Sequence, residues 1–336
     1  MIDWAQLPFA YKQTNKNTRC VFRNNEWEDV QICTDETINL HMAASCLHYG
    51  QECFEGLKAF RGKDSKIRIF RWQENLKRMN RSAKRLSMPE IPTHVFEKAL
   101  ITLVKENQEF VPPYGTGASL YVRPLLIGTS AQLGLNPADE YLLVLFCSPV
   151  GPYFKTGVKP VKVIIERDTD RAAPLGTGNV KVGGNYAPAL ATTQKIQELG
   201  YSSALYLDPK EKKYLDECGP ANFFGIIQNT YVTPESASIL NSITNMSLQD
   251  IAIQLGMKVE KRKVLLEELA HFEETAQCGT AAVITPIYEI YDPLTNIRYT
   301  YGNSEKTGDV CMKLYTTLVR IQYGDVPDTF GWNTIV

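Results

Sequence analysis

The run Gly176-Thr-Gly-Asn-Val-Lys181-Val-Gly-Gly-Asn-Tyr186 sets a single lysine between two pairs of glycines, just ahead of a segment that reads as a helix. Glycine lets backbone approach a ligand closely. A lysine held in such a place, desolvated or beside another charge, has a lowered pKa and acts as a base or forms a Schiff base. An exposed lysine in a loop is the plain alternative. A nucleotide-binding P-loop fits poorly, because Val180 precedes the lysine and Val182 follows it.

Other groups could share that chemistry. Arg78, Arg81 and Arg85 lie at i, i+3 and i+7 of a basic helical stretch, 73–88, and share one face. They form either a solvated face or the source of one guanidinium that forks a phosphate or carboxylate. Strand alternation over 119–127 puts Ser119, Tyr121 and Arg123 on one face and Leu120 and Val122 on the other. Tyr121 and Arg123 suit an anion site or an edge-strand ion pair. The stretch Asn241-Ser-Ile-Thr244 leads into an amphipathic helix, whose first N–H groups make an anion cradle. Ala276-Gln-Cys-Gly279-Thr280-Ala281 reads as a second small-residue turn, and Glu217 lies between the two anion turns and the lysine. Together these match the needs of pyridoxal 5′-phosphate: a lysine for the aldehyde, a carboxylate to keep the ring nitrogen protonated, N–H donors and an arginine for the phosphate.

The elements that must position these groups are legible in outline. A hairpin spans 18–33 around Asn24-Asn25, and short strands follow at 66–70, 119–127 and 141–150. Thr93 reads as the N-cap of a helix whose apolar stripe is Phe96, Leu100, Leu103 and Val104. Gly151-Pro-Tyr153-Phe-Lys-Thr-Gly157 is the best linker, which divides the chain into a small N-terminal α+β domain, 1–150, a linker, 151–160, and a large C-terminal domain, 161–336, carrying the lysine. The second part opens with strand 161–167. Helices follow at 186–199, 245–255 and 309–323, with strands at 204–207, 214–227 and 282–290 between them. Hairpins mixed with separate helices predict an α+β fold rather than a parallel βαβ sheet.

Composition excludes several classes. A net charge of −1 gives no general pull toward nucleic acid or an acidic membrane. No apolar run is long enough to span a membrane, and the start shows no secretory signal. Eight cysteines occur singly, which suits reduced thiols in a cytoplasmic enzyme. The four histidines lack zinc-ligand spacing, so no metal site is expected.

Seven ordered blocks carry a family resemblance: Leu47-His-Tyr49 with Phe54-Glu-Gly56, Arg78-Met-Asn-Arg-Ser-Ala83, Ser119-Leu-Tyr-Val-Arg-Pro124, Pro149-Val-Gly-Pro-Tyr153-Phe154, Lys181-Val-Gly-Gly-Asn-Tyr186, Glu217-Cys-Gly-Pro-Ala-Asn222-Phe-Phe224 and Gly279-Thr-Ala281. Over roughly 47–323 the chain resembles the branched-chain-amino-acid aminotransferases, class IV enzymes of pyridoxal-phosphate fold type IV. The resemblance implies a two-domain fold similar to D-amino-acid aminotransferase, with mixed sheets and flanking helices. It implies that Lys181 forms the Schiff base and moves the substrate proton, and that Glu217 pairs with the pyridine nitrogen. By the same resemblance Arg78 binds the phosphate, with Ile243, Thr244 and Thr280 as further phosphate contacts, while Tyr186 and Arg171 stand near the cofactor. Tyr49, Phe54, Tyr121 and Tyr153 are implied to line the side-chain pocket with Arg123 beside them. Thr280 and Ala281 are implied to present N–H groups to the substrate carboxylate.

The implied reaction is a two-stage transfer of the amino group of L-leucine, L-isoleucine or L-valine to 2-oxoglutarate, giving a branched 2-oxo acid and L-glutamate, in a homodimer. Three departures stand out. Asn245 replaces the signature's basic residue after the phosphate turn, and Tyr231 replaces its apolar residue before Thr233. Ala282 and Thr285 occupy the positions of a cysteine pair found in some mammalian members. The alternatives are a D-amino-acid aminotransferase or aminodeoxychorismate lyase of the same fold, and a protein that binds the cofactor without turning it over.

Overall fold

The computed structural model describes residues 2–155 and 157–336. Thr156, inside the expected linker, lies outside the described residues. The chain forms two compact units. The first comprises Met1–Lys155, Val180–Gly183 and Ile321–Val336, and the second Thr156–Asn179 and Gly184–Arg320. This cuts the chain differently from the expected block 161–336, since the four residues around Lys181 and the C-terminal segment join the first unit.

The first unit is built on a nine-stranded sheet. Its order is Asn333–Ile335, Ile67–Phe70, Leu57–Arg61, Ser119–Gly128, Tyr141–Val150, Asn17–Arg23, Glu26–Trp27. Gln31–Cys33 pairs with Asn17–Arg23, and Glu52–Phe54 pairs with Ser119–Gly128. Every pairing in it is antiparallel. The hairpin turns at Asn24 and Asn25, both at positive φ (52° and 63°). That conformation matches the twist of a two-residue hairpin loop, and asparagine tolerates it. Tyr141–Val150 is apolar along almost its whole length because it is buried on both faces.

The helix Thr93–Glu106 buries Val95, Phe96, Ala99, Leu100, Leu103 and Val104 in that core. The expected cap is displaced by one residue. Pro92 is the N-cap and its carbonyl accepts from Val95 N and Phe96 N, while Thr93 begins the helix. Proline's fixed φ pre-sets that entry, and no side-chain hydroxyl is needed. The helix Trp72–Arg85 buries Trp72, Leu76, Met79 and Ala83, and also Asn75, Arg78 and Ser82.

The second unit is also built on a nine-stranded sheet, and here the strands close into a ring. Leu215–Cys218, Ser203–Leu207, Val161–Glu166, Val283–Asp292, Glu274–Gly279 and Ala221–Ile227 pair in turn, and the last pairs again with the first. Closure leaves no open edge in the ring. Two βαβ crossovers lie within the nine-stranded sheet, one in the ring and one beside it, which the α+β expectation did not include. The helix Ala189–Glu198 joins the parallel pair Val161–Glu166 and Ser203–Leu207. The helix Ile243–Gln254 joins the parallel pair Thr230–Pro234 and Lys258–Arg262. The small-residue turn expected over 276–281 is mostly strand. Ala276, Gln277 and Cys278 pair with a neighbour on each side, and only 280–282 turn. Ladder hydrogen bonds on both sides outweigh the weak strand preference of small residues.

Candidate active site

Lys181 is placed by its neighbours. Val180 and Val182 are buried in the core of the first unit, so alternation turns the lysine side chain away from that core. Its backbone N–H donates to Ser82 Oγ at 2.9 Å, and its carbonyl accepts from Phe54 N at 3.1 Å. Its Nζ lies 4.5 Å from the centroid of the Phe54 ring. Gly183 N donates to the Glu52 carboxylate, and a Cβ at Gly183 would lie 2.3 Å from Glu52 Oε1. A side chain at this position would push the Glu52 carboxylate aside. Burial raises the Glu52 pKa, while the Gly183 N–H, Arg123 and Lys181 draw it down.

Arg123 lies in the same unit. Its guanidinium stands 4.8 Å over the Phe54 ring and 5.4 Å over the Tyr121 ring, and Nη2 donates to Tyr121 OH at 3.1 Å. Arg123 Nε is buried with no hydrogen-bond partner among the described residues. A cavity of about 390 Å³ is lined by Phe9, Tyr11, Tyr121, Arg123, Phe146 and Ser148 among others. Thus Lys181, Phe54, Tyr121 and Arg123 meet. Tyr49 and Tyr153 stand apart from them in this chain. Tyr49 is 44% exposed and donates to the Leu133 carbonyl, and Tyr153 is 51% exposed and packs edge-on against Phe154.

Of the three arginines on the basic helix, only Arg78 turns inward; Arg81 and Arg85 are exposed. Arg78 makes a buried fork with Glu55, Nε to Oε1 at 2.7 Å and Nη2 to Oε2 at 2.8 Å. Asn75 Nδ2 adds a bond to Glu55 Oε2 at 2.8 Å. The paired carboxylate offsets the cost of burying the cation and sets the plane of its fork.

The second unit holds the other expected groups. Glu217 is buried on the strand Leu215–Cys218, directly opposite Asn222. Its Oε1 forms an ion pair with Arg171 Nη2 at 2.8 Å and accepts from Leu240 N at 3.1 Å, and Oε2 accepts from Asn222 Nδ2 at 2.9 Å. Burial pushes its carboxyl up to about 7, and the Arg171 charge and the donated bonds pull against that rise. Arg171 also donates to the carbonyls of Gly178 and Ser238.

Ile243 and Thr244 form the buried first turn of the helix Ile243–Gln254, capped by Ser242, whose Oγ accepts from Asn245 N at 3.2 Å. Asn222 ties this turn to Glu217, because its Nδ2 also donates to Leu240 O and its Oδ1 accepts from Asn245. Thr280 and Ala281 are half-buried in the turn after Glu274–Gly279, whose Cys278 pairs with Asn222. Val283 closes that turn at φ +66°, a strained conformation for a β-branched residue. Tyr186 is half-buried just beyond the 3₁₀ turn Gly183–Asn185.

A family model described as amino-transferase class IV matches residues 52–290. A branched-chain-amino-acid aminotransferase of Haemophilus influenzae is 45% identical over 98% of this chain and 98% of its own. The chain belongs to the branched-chain-amino-acid aminotransferases of class IV. A Helicobacter pylori member is 43% identical over 98% of this chain and 97% of its own. A solved branched-chain amino acid aminotransferase of T.th., with pyridoxamine 5′-phosphate, matches with a TM-score of 0.78, at 25% identity, over 96% of this chain and 98% of that one.

Class IV aminotransferases use pyridoxal 5′-phosphate, and the residues of this family member fit it. Glu217 is a buried carboxylate held by two hydrogen-bond donors and an ion pair with Arg171, which suits a protonated ring nitrogen. A buried helix start in the same unit presents N–H groups suited to a phosphate. Glu52, Glu55, Ser82 and Asn222 went unassigned in the sequence. Each lies inside or beside a family block, but nothing in their spacing says which side chain they hold. Among the described residues, no group of three His, Cys, Asp or Glu could hold a metal ion, and no helix is long and apolar enough to cross a membrane.

Proposed function

We propose that this aminotransferase moves the amino group of L-leucine, L-isoleucine or L-valine to 2-oxoglutarate. Bound pyridoxal 5′-phosphate supplies a carbonyl to capture the amino group and a ring that draws off the electron pair left at Cα. Lys181 Nζ would anchor the cofactor covalently and, when displaced from it, would take and return the proton at the substrate Cα. Glu217 would hold the ring nitrogen protonated, with Tyr186 near the ring oxygen and Arg171 near the cofactor. Arg78 and the N–H groups of Ile243, Thr244 and Thr280 bind the phosphate. The N–H groups of Thr280 and Ala281 bind the substrate α-carboxylate.

The observation that carries the substrate assignment is Arg123 lying across the faces of Phe54 and Tyr121. The same wall offers apolar ring surface to a branched chain and a guanidinium to the second carboxylate of 2-oxoglutarate. Tyr49 and Tyr153 complete the wall in the working assembly, which we take to be a homodimer. Met42, Leu47, Tyr49, Leu133 and Leu135 form an exposed apolar set in the first unit that a second copy would cover. A cytoplasmic location fits the eight free cysteines, six of them buried. The domains are taken as 1–150 and 161–336, joined by 151–160, except that 180–183 and 321–336 belong with the first.

Two measurements test the reading. Borohydride reduction of the cofactor-loaded protein and peptide mapping should find the adduct on Lys181. An adduct on another lysine would overturn it, including on buried Lys58, whose pKa burial lowers to about 8. Assay with 2-oxoglutarate should show transfer from L-leucine, and transfer from D-alanine alone would overturn the substrate class.

A further inference from the structure

A row of buried polar side chains runs behind Glu217. Tyr231, Thr233, Asn245 and Asn222 are all buried, and Tyr231 is among the largest fully buried side chains of the chain. Positions 231 and 245 are two of the places where this chain departs from the class pattern, and here they touch. Tyr231 OH donates to Asn245 Oδ1 at 2.8 Å. Burial holds the Tyr231 pKa well above its ordinary value, so the phenol keeps its proton, and its ring stacks on Phe224 at 4.6 Å.

The direction of every bond in the row is determined. Thr233 has one hydroxyl proton, and it goes to the Phe223 carbonyl at 2.8 Å. Thr233 Oγ1 must therefore accept from Asn245 Nδ2, at 2.9 Å. That turns Asn245 Oδ1 toward Tyr231 OH and Gln249 Nε2. The second Asn245 N–H then meets Asn222 Oδ1 at 3.0 Å. Asn222 is thereby oriented with its Nδ2 toward Glu217 Oε2, 2.9 Å away. A reversed Asn222 amide would put oxygen against oxygen there. With two donor and two acceptor contacts, the Asn245 amide has all its hydrogen-bonding capacity engaged. A buried network satisfied in this way is rigid.

We propose that Tyr231 and Asn245 are positioning residues for Glu217: through Asn222 they hold its carboxylate as an acceptor aimed for a protonated ring nitrogen. They reach Glu217 through Asn222. A neutral relay holds the carboxylate without adding a cation beside it, so Arg171 is the only cation bonded to Glu217 among the described residues. This rests on the reading of Glu217 given above.

The test compares purified proteins loaded with pyridoxal 5′-phosphate. Tyr231→Phe keeps the ring stack and removes one hydrogen bond. It should weaken pyridoxal 5′-phosphate binding, measured by absorbance titration, about three- to tenfold. It should lower kcat for the L-leucine half-reaction by a similar factor with KM unchanged. Asn245→Leu should cost more in both, and Tyr231→Phe added to Asn245→Leu should cost nothing further. Wild-type cofactor affinity and kcat in Tyr231→Phe, with only the melting temperature lowered, would reduce the pair to packing and overturn the proposal. Effects of the two substitutions that simply multiply would overturn it as well. If Asn245→Leu does not fold, Asn245→Asp serves instead: it keeps the shape but presents an acceptor to Asn222, so unchanged cofactor affinity would again overturn the relay. A wild type that takes up no pyridoxal 5′-phosphate would instead overturn the assignment of Glu217 itself, and the relay with it.

Discussion

Burial lifts the Glu217 carboxyl from its ordinary 4.5 to about 7. The folded protein therefore holds that proton more tightly than the unfolded chain. Between about pH 4.5 and 7 unfolding releases a proton, so the contribution to stability is fully present below 4.5 and is lost as the pH rises through 7. Protein stripped of cofactor should accordingly unfold at lower urea at pH 8 than at pH 5, and Glu217→Gln should flatten that difference. An equal slope in wild type and variant would show that other groups set the pH dependence. Glu55 is buried and paired with Arg78. Glu55→Ala leaves a buried guanidinium without that partner and should cost about 3–5 kcal/mol of stability in a denaturant titration. At this scale the sequence showed residue types but not partners. Arg78, Arg81 and Arg85 were indistinguishable by spacing, and Glu55 is 23 residues from the side chain it holds. The choice depends on which flank of the helix Trp72–Arg85 meets the sheet.

Elements deliver these residues through a few close approaches. A Cβ at Gly178 would lie 2.2 Å from the Ser238 carbonyl oxygen and 2.9 Å from Arg171 Nη2. Backbone cannot swing aside as a side-chain tip can, so Gly178→Ala should destabilise the protein by about 1–3 kcal/mol. It should also loosen Arg171 from Glu217, read as weaker uptake of pyridoxal 5′-phosphate. Wild-type stability and uptake would show that the loop carrying Gly178 yields freely. Long periodic elements were legible. Tyr141–Val150 and Asp309–Tyr323 have the bounds that their apolar patterns predict. Short or doubly paired elements were not. The strand Asn333–Ile335 is too brief to show a period and exists through its pairing with Ile67–Phe70. Glu274–Gly279 reads as a turn by composition and is a strand by its neighbours.

At the scale of the molecule, Leu133 and Leu135 are 85% and 81% exposed, and Leu133 holds the Tyr49 hydroxyl through its carbonyl. If this face is the dimer contact, Leu133→Glu should shift the protein toward monomer in analytical ultracentrifugation and lower activity with L-leucine. A monomeric wild type of full activity would remove the need for a partner at Tyr49.

The glycine-flanked Lys181, Glu217 and the ordered motif blocks were determined by the sequence alone. Each is a local choice of residue types, and local order survives in one dimension. The tertiary structure decided which arginine enters the core, that Glu55 meets it, and that Tyr231 and Asn245 form a pair. It also decided that 180–183 joins the first unit while Glu217 lies in the second. These are contacts between positions separated along the chain. They arise from strand register and from which helix face is buried, and the spacing of residues around any one of them does not record it.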